Sequence, residues 1–303
     1  MDTLETFADA DDVTISYRVW RPGESPRAIV EIAHGASEHS GRYARFATFL
    51  VGRGYVVYAV DHRGHGATAS VTGVGRSGPR GWQGIVDDLD QLAVLARRES
   101  GDLPLVLFGH SMGSFLAQLY VQQHGDRLDG LVLSGSAGAM EGLADTISAL
   151  EGLVAQGASD QPAPIFGPLN APFEPARTPF DWLSRDPAEV DKYVADPMCG
   201  DDAPLTIGFV LDMMRNAATA WDPANEARIP KDLPVLLITG EADPVSQGGR
   251  TVRELEARYQ AAGIKDVTGL YYPDARHELL NETNRDTVQE DVVGWLDRVT
   301  SGR

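Results

Sequence analysis

Only one cysteine, Cys199, occurs among the 303 residues, so no disulfide can close within the chain and a cysteine-based metal cluster is excluded. No run reaches the roughly 18 consecutive apolar residues that a membrane-spanning helix requires. The opening stretch, Met1 to Val13, is acidic and lacks both a basic flank and an apolar core, which predicts no export signal and a cytoplasmic protein. Positive charge is scarce: 26 Lys and Arg stand against 44 Asp and Glu, a formal net charge of -18. With no basic stripe to interrupt it, such a chain repels phosphate backbones and anionic membrane surfaces. Nucleic acid and stable membrane insertion are therefore not expected, and no internal repeat points to an array.

Short aliphatic or β-branched runs alternate with amphipathic ones. A hairpin is predicted over Glu5–Ala10 and Val13–Trp20, around Asp11 and Asp12. Further strands are predicted over Arg27–Ala33, Tyr55–Val60, Leu103–Phe108, Leu128–Leu133, Leu233–Thr239 and Val267–Tyr272. Helical spacing marks Arg42–Arg53, Gly84–Arg98, Ser111–Gln123, Gln247–Ala262 and Asp286–Thr300. Strict alternation implies right-handed crossovers and a mainly parallel sheet, hence an α/β fold.

The alternation fails between about Ser136 and Ile229, where Pro162 to Pro204 holds half of the 18 prolines. This stretch reads as an inserted helical cap, so the expected organisation is a core over 1–135 and 230–303 with a cap over 136–229. Within it Leu143, Ile147, Leu150 and Val154 fall on one helical face, as do Ile207, Val210, Met214 and Trp221. Each stripe either packs on the core or lines an acyl pocket. From Glu141 to Arg228 fifteen acidic side chains face five basic ones, the wrong sign for docking on anionic lipid.

Chemistry concentrates at Gly109-His110-Ser111-Met112-Gly113, a G-x-S-x-G pentapeptide entered from a strand and left by a helix. That setting makes Ser111 a candidate nucleophile, because the tight turn lifts its hydroxyl to the carboxyl edge of the sheet. A serine hydroxyl needs a base, and the base needs an acceptor to fix its tautomer. Among seven histidines, His277 follows the last strand and returns to that edge. His34, His39, His62 and His65 suit loop-bracing roles, His124 ends a helix, and His110 should point away from its neighbour. Asp243, after strand Leu233–Thr239, is the candidate for orienting the base, with Asp274 and Glu241 as rivals. The order Ser111, Asp243, His277 is the chain order of the α/β-hydrolase triad. The backbone N–H groups of Met112 and Ala36, the latter in His34-Gly35-Ala36-Ser37-Glu38-His39, are candidate oxyanion donors. No metal and no cofactor is needed.

With these residues the chain resembles the monoacylglycerol lipase and lysophospholipase-like branch of the α/β-hydrolases. The resemblance rests on His34 to Tyr43 (HGASEHSGRY), on Asp61 to Gly66 (DHRGHG), on the pentapeptide, and on Gly240-Glu241-Ala242-Asp243 with His277-Glu278. It implies an eight-stranded, mostly parallel sheet flanked by helices with a cap after the sixth strand. It also implies a serine carboxylesterase acting through an acyl-enzyme on small esters with an apolar part. Ser37 and Ser114 depart from it, standing where members often carry Gly. Lactones or aromatic esters fit the same chemistry, as does a prolyl-type aminopeptidase whose cap carboxylates hold a substrate amine. A catalytically silent binding protein of this fold is the non-enzymatic reading. Oligomeric state is not legible.

Overall fold

The computed structural model describes residues 2–301. Its single sheet has the order β1-β2-β4-β3-β5-β6-β7-β8. The strands are β1 (Thr3–Ala8), β2 (Thr14–Trp20), β3 (Ala28–Ala33), β4 (Tyr55–Val60), β5 (Leu105–His110), β6 (Gly130–Ser134), β7 (Val235–Gly240) and β8 (Val267–Tyr272). The opening hairpin and the β2–β4 pair are antiparallel, and every pairing from β4 through to β8 is parallel. The α/β-hydrolase architecture expected from the sequence is thus present. The hairpin turns earlier than expected because the Asp9 carboxylate accepts the N–H groups of Asp11 and Val13.

The helices are α1 (Ala44–Val51), α2 (Ala69–Thr72), α3 (Gly81–Ser100), α4 (Met112–His124), α5 (Leu143–Ala155), α6 (Pro187–Ala195), α7 (Ile207–Ala220), α8 (Pro223–Glu226), α9 (Arg250–Ala261) and α10 (Arg285–Thr300). Both sheet faces are covered, so the strands read as continuous apolar runs. Along β4, Val56, Tyr58 and Val60 enter one core layer with residues of α3, α4 and α7. Tyr55, Val57 and Ala59 enter the other, with α1 and α10.

Between β6 and β7 the chain adds no strand to the sheet. That stretch carries α5 to α8 and several turns of 3-10 helix. Of the two apolar stripes, Ile207, Val210 and Trp221 are buried, while Leu143, Leu150 and Val154 are half-buried against the same core layer. Helix α6 is not evident from the proline-rich sequence, yet its start is conventional: Pro187 takes the first position and the Asp186 side chain accepts the Ala188 N–H. Among the described residues no helix is long and apolar enough to cross a membrane.

Candidate active site

Strand β5 runs two residues further than expected, through Gly109 and His110, and the chain then turns sharply at Ser111. Ser111 sits at φ 51 and ψ -120, outside the usual regions for a residue with a side chain. Its N–H donates to Ser134 O of β6 (2.9 Å), which pins the turn to the neighbouring strand. A Cβ on Gly109 would stand 2.6 Å from Gly113 O, and one on Gly113 would be driven into the Ala33 carbonyl. The two glycines of the pentapeptide are therefore demanded by close backbone approach.

Three side chains converge on this turn. His277 Nε2 lies 2.9 Å from Ser111 Oγ, and His277 Nδ1 lies 3.0 and 3.1 Å from the two carboxylate oxygens of Asp243. A carboxylate only accepts, so Nδ1 carries the proton and donates it to Asp243, leaving the Nε2 lone pair to accept from the serine hydroxyl. Asp243 is fully buried and held by its own loop: its carboxylate accepts the Val245 N–H and its carbonyl the Gly248 N–H. Burial alone would push His277 down, but the Asp243 carboxylate, helped by Glu278 and Glu38, more than offsets this and its pKa is raised. The rivals lie elsewhere: Asp274 is exposed, and exposed Glu241 pairs with Arg253.

The loop after β3 brings Ala36 to the same place. A Cβ on Gly35 would lie 3.1 Å from Ser111 Cβ, so the loop abuts the nucleophile position. Neither Ala36 N–H nor Met112 N–H donates to a protein acceptor among the described residues, and Met112 begins α4, where the helix dipole is positive. The five expected site residues are thus brought together. His34 braces this loop, accepting the His62 N–H at Nε2 and donating from Nδ1 to Gly35 O.

His110 lies beside the base. Because β5 continues through it, its ring is directed against His277, with centroids 4.9 Å apart. Burial, reinforced by the nearby His277, pushes His110 down to about 4, so it stays uncharged beside the base. Of the two departures from the family pattern, Ser37 takes the left-handed conformation that suits glycine (φ 50), and Ser114 Oγ donates to Ser111 O and lies 2.8 Å from the Ser136 hydroxyl behind the turn.

A cavity of about 320 Å³ opens from Ser111, lined by Phe115, Met140, Ile165, Met213, Met214 and Val245 among others. Among the described residues no carboxylate lines it. His39, Asp196 and Cys199 offer possible ligand atoms within 4.8 Å of one another. His39 Nδ1, however, accepts the Gly41 N–H, so Nε2 carries the proton and donates to Asp196 (3.0 Å). That arrangement suits a hydrogen bond between loop and inserted segment rather than a metal ion.

A family model described as "Serine aminopeptidase, S33" matches residues 24–284. The monoacylglycerol lipase of Mycolicibacterium smegmatis is 31% identical over 301 residues, spanning 96% of this chain and 95% of that protein. Human monoglyceride lipase is 30% identical, spanning 98% of this chain and 91% of the relative. A thermostable carboxyl esterase from Bacillus coagulans, solved with glycerol, superposes with a TM-score of 0.91 at 29% identity over 99% of each chain.

Proposed function

The chain belongs to the serine aminopeptidase (S33) family of α/β-hydrolases and is a monoacylglycerol lipase-like carboxylic ester hydrolase, and we propose that Ser111, His277 and Asp243 carry its chemistry. Ser111 Oγ attacks the ester carbonyl as His277 Nε2 takes the hydroxyl proton. Asp243 holds the imidazole in the required tautomer and stabilises the imidazolium. The tetrahedral oxyanion receives the N–H groups of Ala36 and Met112. Collapse releases the alcohol with the proton from Nε2, and water repeats the cycle on the acyl-Ser111 ester. The observation that carries this reading is the unbroken hydrogen-bond line from Ser111 Oγ through His277 to Asp243.

The substrate we assign is a neutral ester with an apolar acyl or aryl part, of the monoacylglycerol kind, taken under a cap over 136–229. The apolar cavity beside Ser111 supports it, as do the names of the relatives. We further place the protein in the cytoplasm, where its acidity and single thiol fit.

The test is a panel of graded acyl esters, monoacylglycerols, lactones and aminoacyl-arylamides. Acyl esters should be turned over and arylamides should not. Ser111→Ala should lower kcat by an amount on the order of a millionfold and abolish fluorophosphonate labelling. A mutant that keeps most of its activity ends this proposal.

A further inference from the structure

Beside the site, and outside the groups that touch substrate, three charged side chains are buried together. Side-chain exposure is 3% for Glu38, 11% for Arg42 and 6% for Glu278. Glu38 Oε1 accepts two hydrogen bonds, from the Gly35 N–H (2.5 Å) and from the Tyr43 hydroxyl (2.8 Å). Its Oε2 accepts from Arg42 Nη1 (2.6 Å). Arg42 then forks onto Glu278, with Nη1 and Nη2 donating to the two carboxylate oxygens at 2.6 and 2.8 Å. Gly35 precedes Ala36, and Glu278 follows His277. One continuous line of charged hydrogen bonds therefore runs from the oxyanion loop to the loop of the base.

We propose that Glu38 is a positioning residue: it fastens the peptide before Ala36 and, through Arg42 and Glu278, holds the oxyanion N–H and the imidazole of His277 in one rigid unit. The proposal rests on the roles given above to Ser111, His277 and Ala36. Fold stability alone is a poor account of this charged cluster, because burying two carboxylates and a guanidinium costs desolvation that apolar residues would avoid. What apolar residues cannot supply is an acceptor for the Gly35 N–H or a fixed charge beside the base. A loop displaced by even a fraction of an ångström misaims a donor whose strength depends on alignment.

The inserted segment joins the same line. The Arg42 guanidinium lies 4.7 Å from the centre of the Tyr193 ring, the Tyr193 hydroxyl donates to Ser37 O (3.0 Å), and the Glu278 N–H donates to Leu183 O (2.8 Å). Charge points the same way. The charges acting on His277 are those of Asp243, Glu278 and Glu38, the two glutamates are paired with Arg42, and the His110 ring lies against the imidazole. Asp243 lies against its far nitrogen. Glu38 and Glu278 outnumber Arg42 by one negative charge, and His110 is uncharged. Their sum favours the imidazolium that forms as Ser111 attacks.

Two substitutions separate position from charge. Glu38→Ala removes both, whereas Glu38→Gln keeps an amide oxygen for the Gly35 N–H and the Tyr43 hydroxyl but loses the charge and the link to Arg42. Each variant is assayed with p-nitrophenyl butyrate across pH, with melting temperature and fluorophosphonate labelling measured alongside. We expect kcat of Glu38→Ala to fall roughly ten- to a hundredfold, with KM within about threefold of the parent. Glu38→Gln should recover part of that loss. Its acid limb in kcat/KM should lie about half a pH unit or more lower, because removing a negative charge lowers the pKa of the base. A folded Glu38→Ala with the parent's kcat overturns the positioning role, and an unmoved acid limb in Glu38→Gln overturns the electrostatic one. Should the alanine variant fail to fold, the glutamine variant decides both from its kcat and its limb. Failure of the underlying reading looks different: the parent would not be labelled at Ser111, or Ser111→Ala would remain active.

Discussion

The indole ring of Trp182, delivered by the segment between β6 and β7, lies with its centroid 4.9 Å from that of the His277 imidazole, tilted by 41°. Trp182 is in turn stacked on Phe166 at 5.9 Å. Backbone and side-chain bonds hold this contact in place. Leu183 O accepts the Glu278 N–H, the Ser184 hydroxyl donates to Asn281 O, and Arg185 pairs with buried Glu282. The inserted segment is therefore fastened to the loop of the base and shields one side of it from water.

An aromatic face near an imidazole that becomes cationic in the transition state is worth about 0.5–2 kcal/mol. Trp182→Ala should accordingly lower kcat roughly three- to thirtyfold on a small soluble ester, while Trp182→Phe, which keeps a ring, should retain most of it. Equal kcat values for the alanine variant and the parent would remove Trp182 from the account.

Acidity should report the state of His277. Its folded-state pKa is raised above the ordinary value of 6.5: burial lowers it, and the Asp243 carboxylate more than compensates. The base works only when neutral, so kcat/KM should fall as pH drops through that raised value, giving an acid limb above pH 6.5. Asp243→Asn removes the largest charge that raises it and also loses the tautomer. The activity left should be about ten-thousandfold lower, as when the same change is made in a serine protease triad, with its limb at lower pH. A parent limb well below 6.5 would contradict the environment described for this histidine.

Much of this arrangement is legible in the residues alone. The six strands of the parallel part are short apolar runs bounded by Gly, Pro or Asp, and Ser111, Asp243 and His277 each follow such a run. The placement of catalytic candidates at one sheet edge is then a consequence of topology. The Glu38–Arg42–Glu278 line is not legible, since nothing in sequence ties residue 42 to residue 278, although Glu38 and Arg42 stand at helical spacing. Trp182 is hidden for a related reason: its position depends on how a proline-rich stretch folds back onto the core. His110 escapes because the apolar run ends at Phe108, two residues short of the strand's true end. Helix α6 does leave a signal, in Asp186-Pro187-Ala188-Glu189, which surrounding prolines obscure.

Arg63, within the Asp61-His62-Arg63-Gly64-His65-Gly66 stretch, serves stability rather than chemistry. Arg63 is completely buried, pairs with Asp9 (2.5 Å) and Asp88 (2.7 Å), and donates to Pro79 O. Removing the guanidinium leaves carboxylates buried without their cation, a loss of about 3–5 kcal/mol. Arg63→Met should therefore lower the urea midpoint markedly, and adding Asp88→Asn should restore part of it. The remaining folded enzyme should keep the parent's kcat. A stable Arg63→Met variant would show that the surrounding carboxylates accept protons at little cost; burial already lifts Asp88 to about 7 despite the guanidinium beside it.

Chain-length preference should follow from the cavity beside Ser111. Each methylene that leaves water for an apolar wall gains roughly 0.8 kcal/mol, or about fourfold in kcat/KM. For straight-chain p-nitrophenyl esters the logarithm of kcat/KM should rise with acyl length and then level off once the cavity of about 320 Å³ is filled. Met213, carried on α7, is buried and forms part of the wall. Met213→Trp occupies space that the end of a long chain would take, so the break should move to shorter acyl groups while activity on acetate and propionate esters holds. A break that stays in place would mean that the acyl chain lies along another path, and that this cavity receives the alcohol side instead.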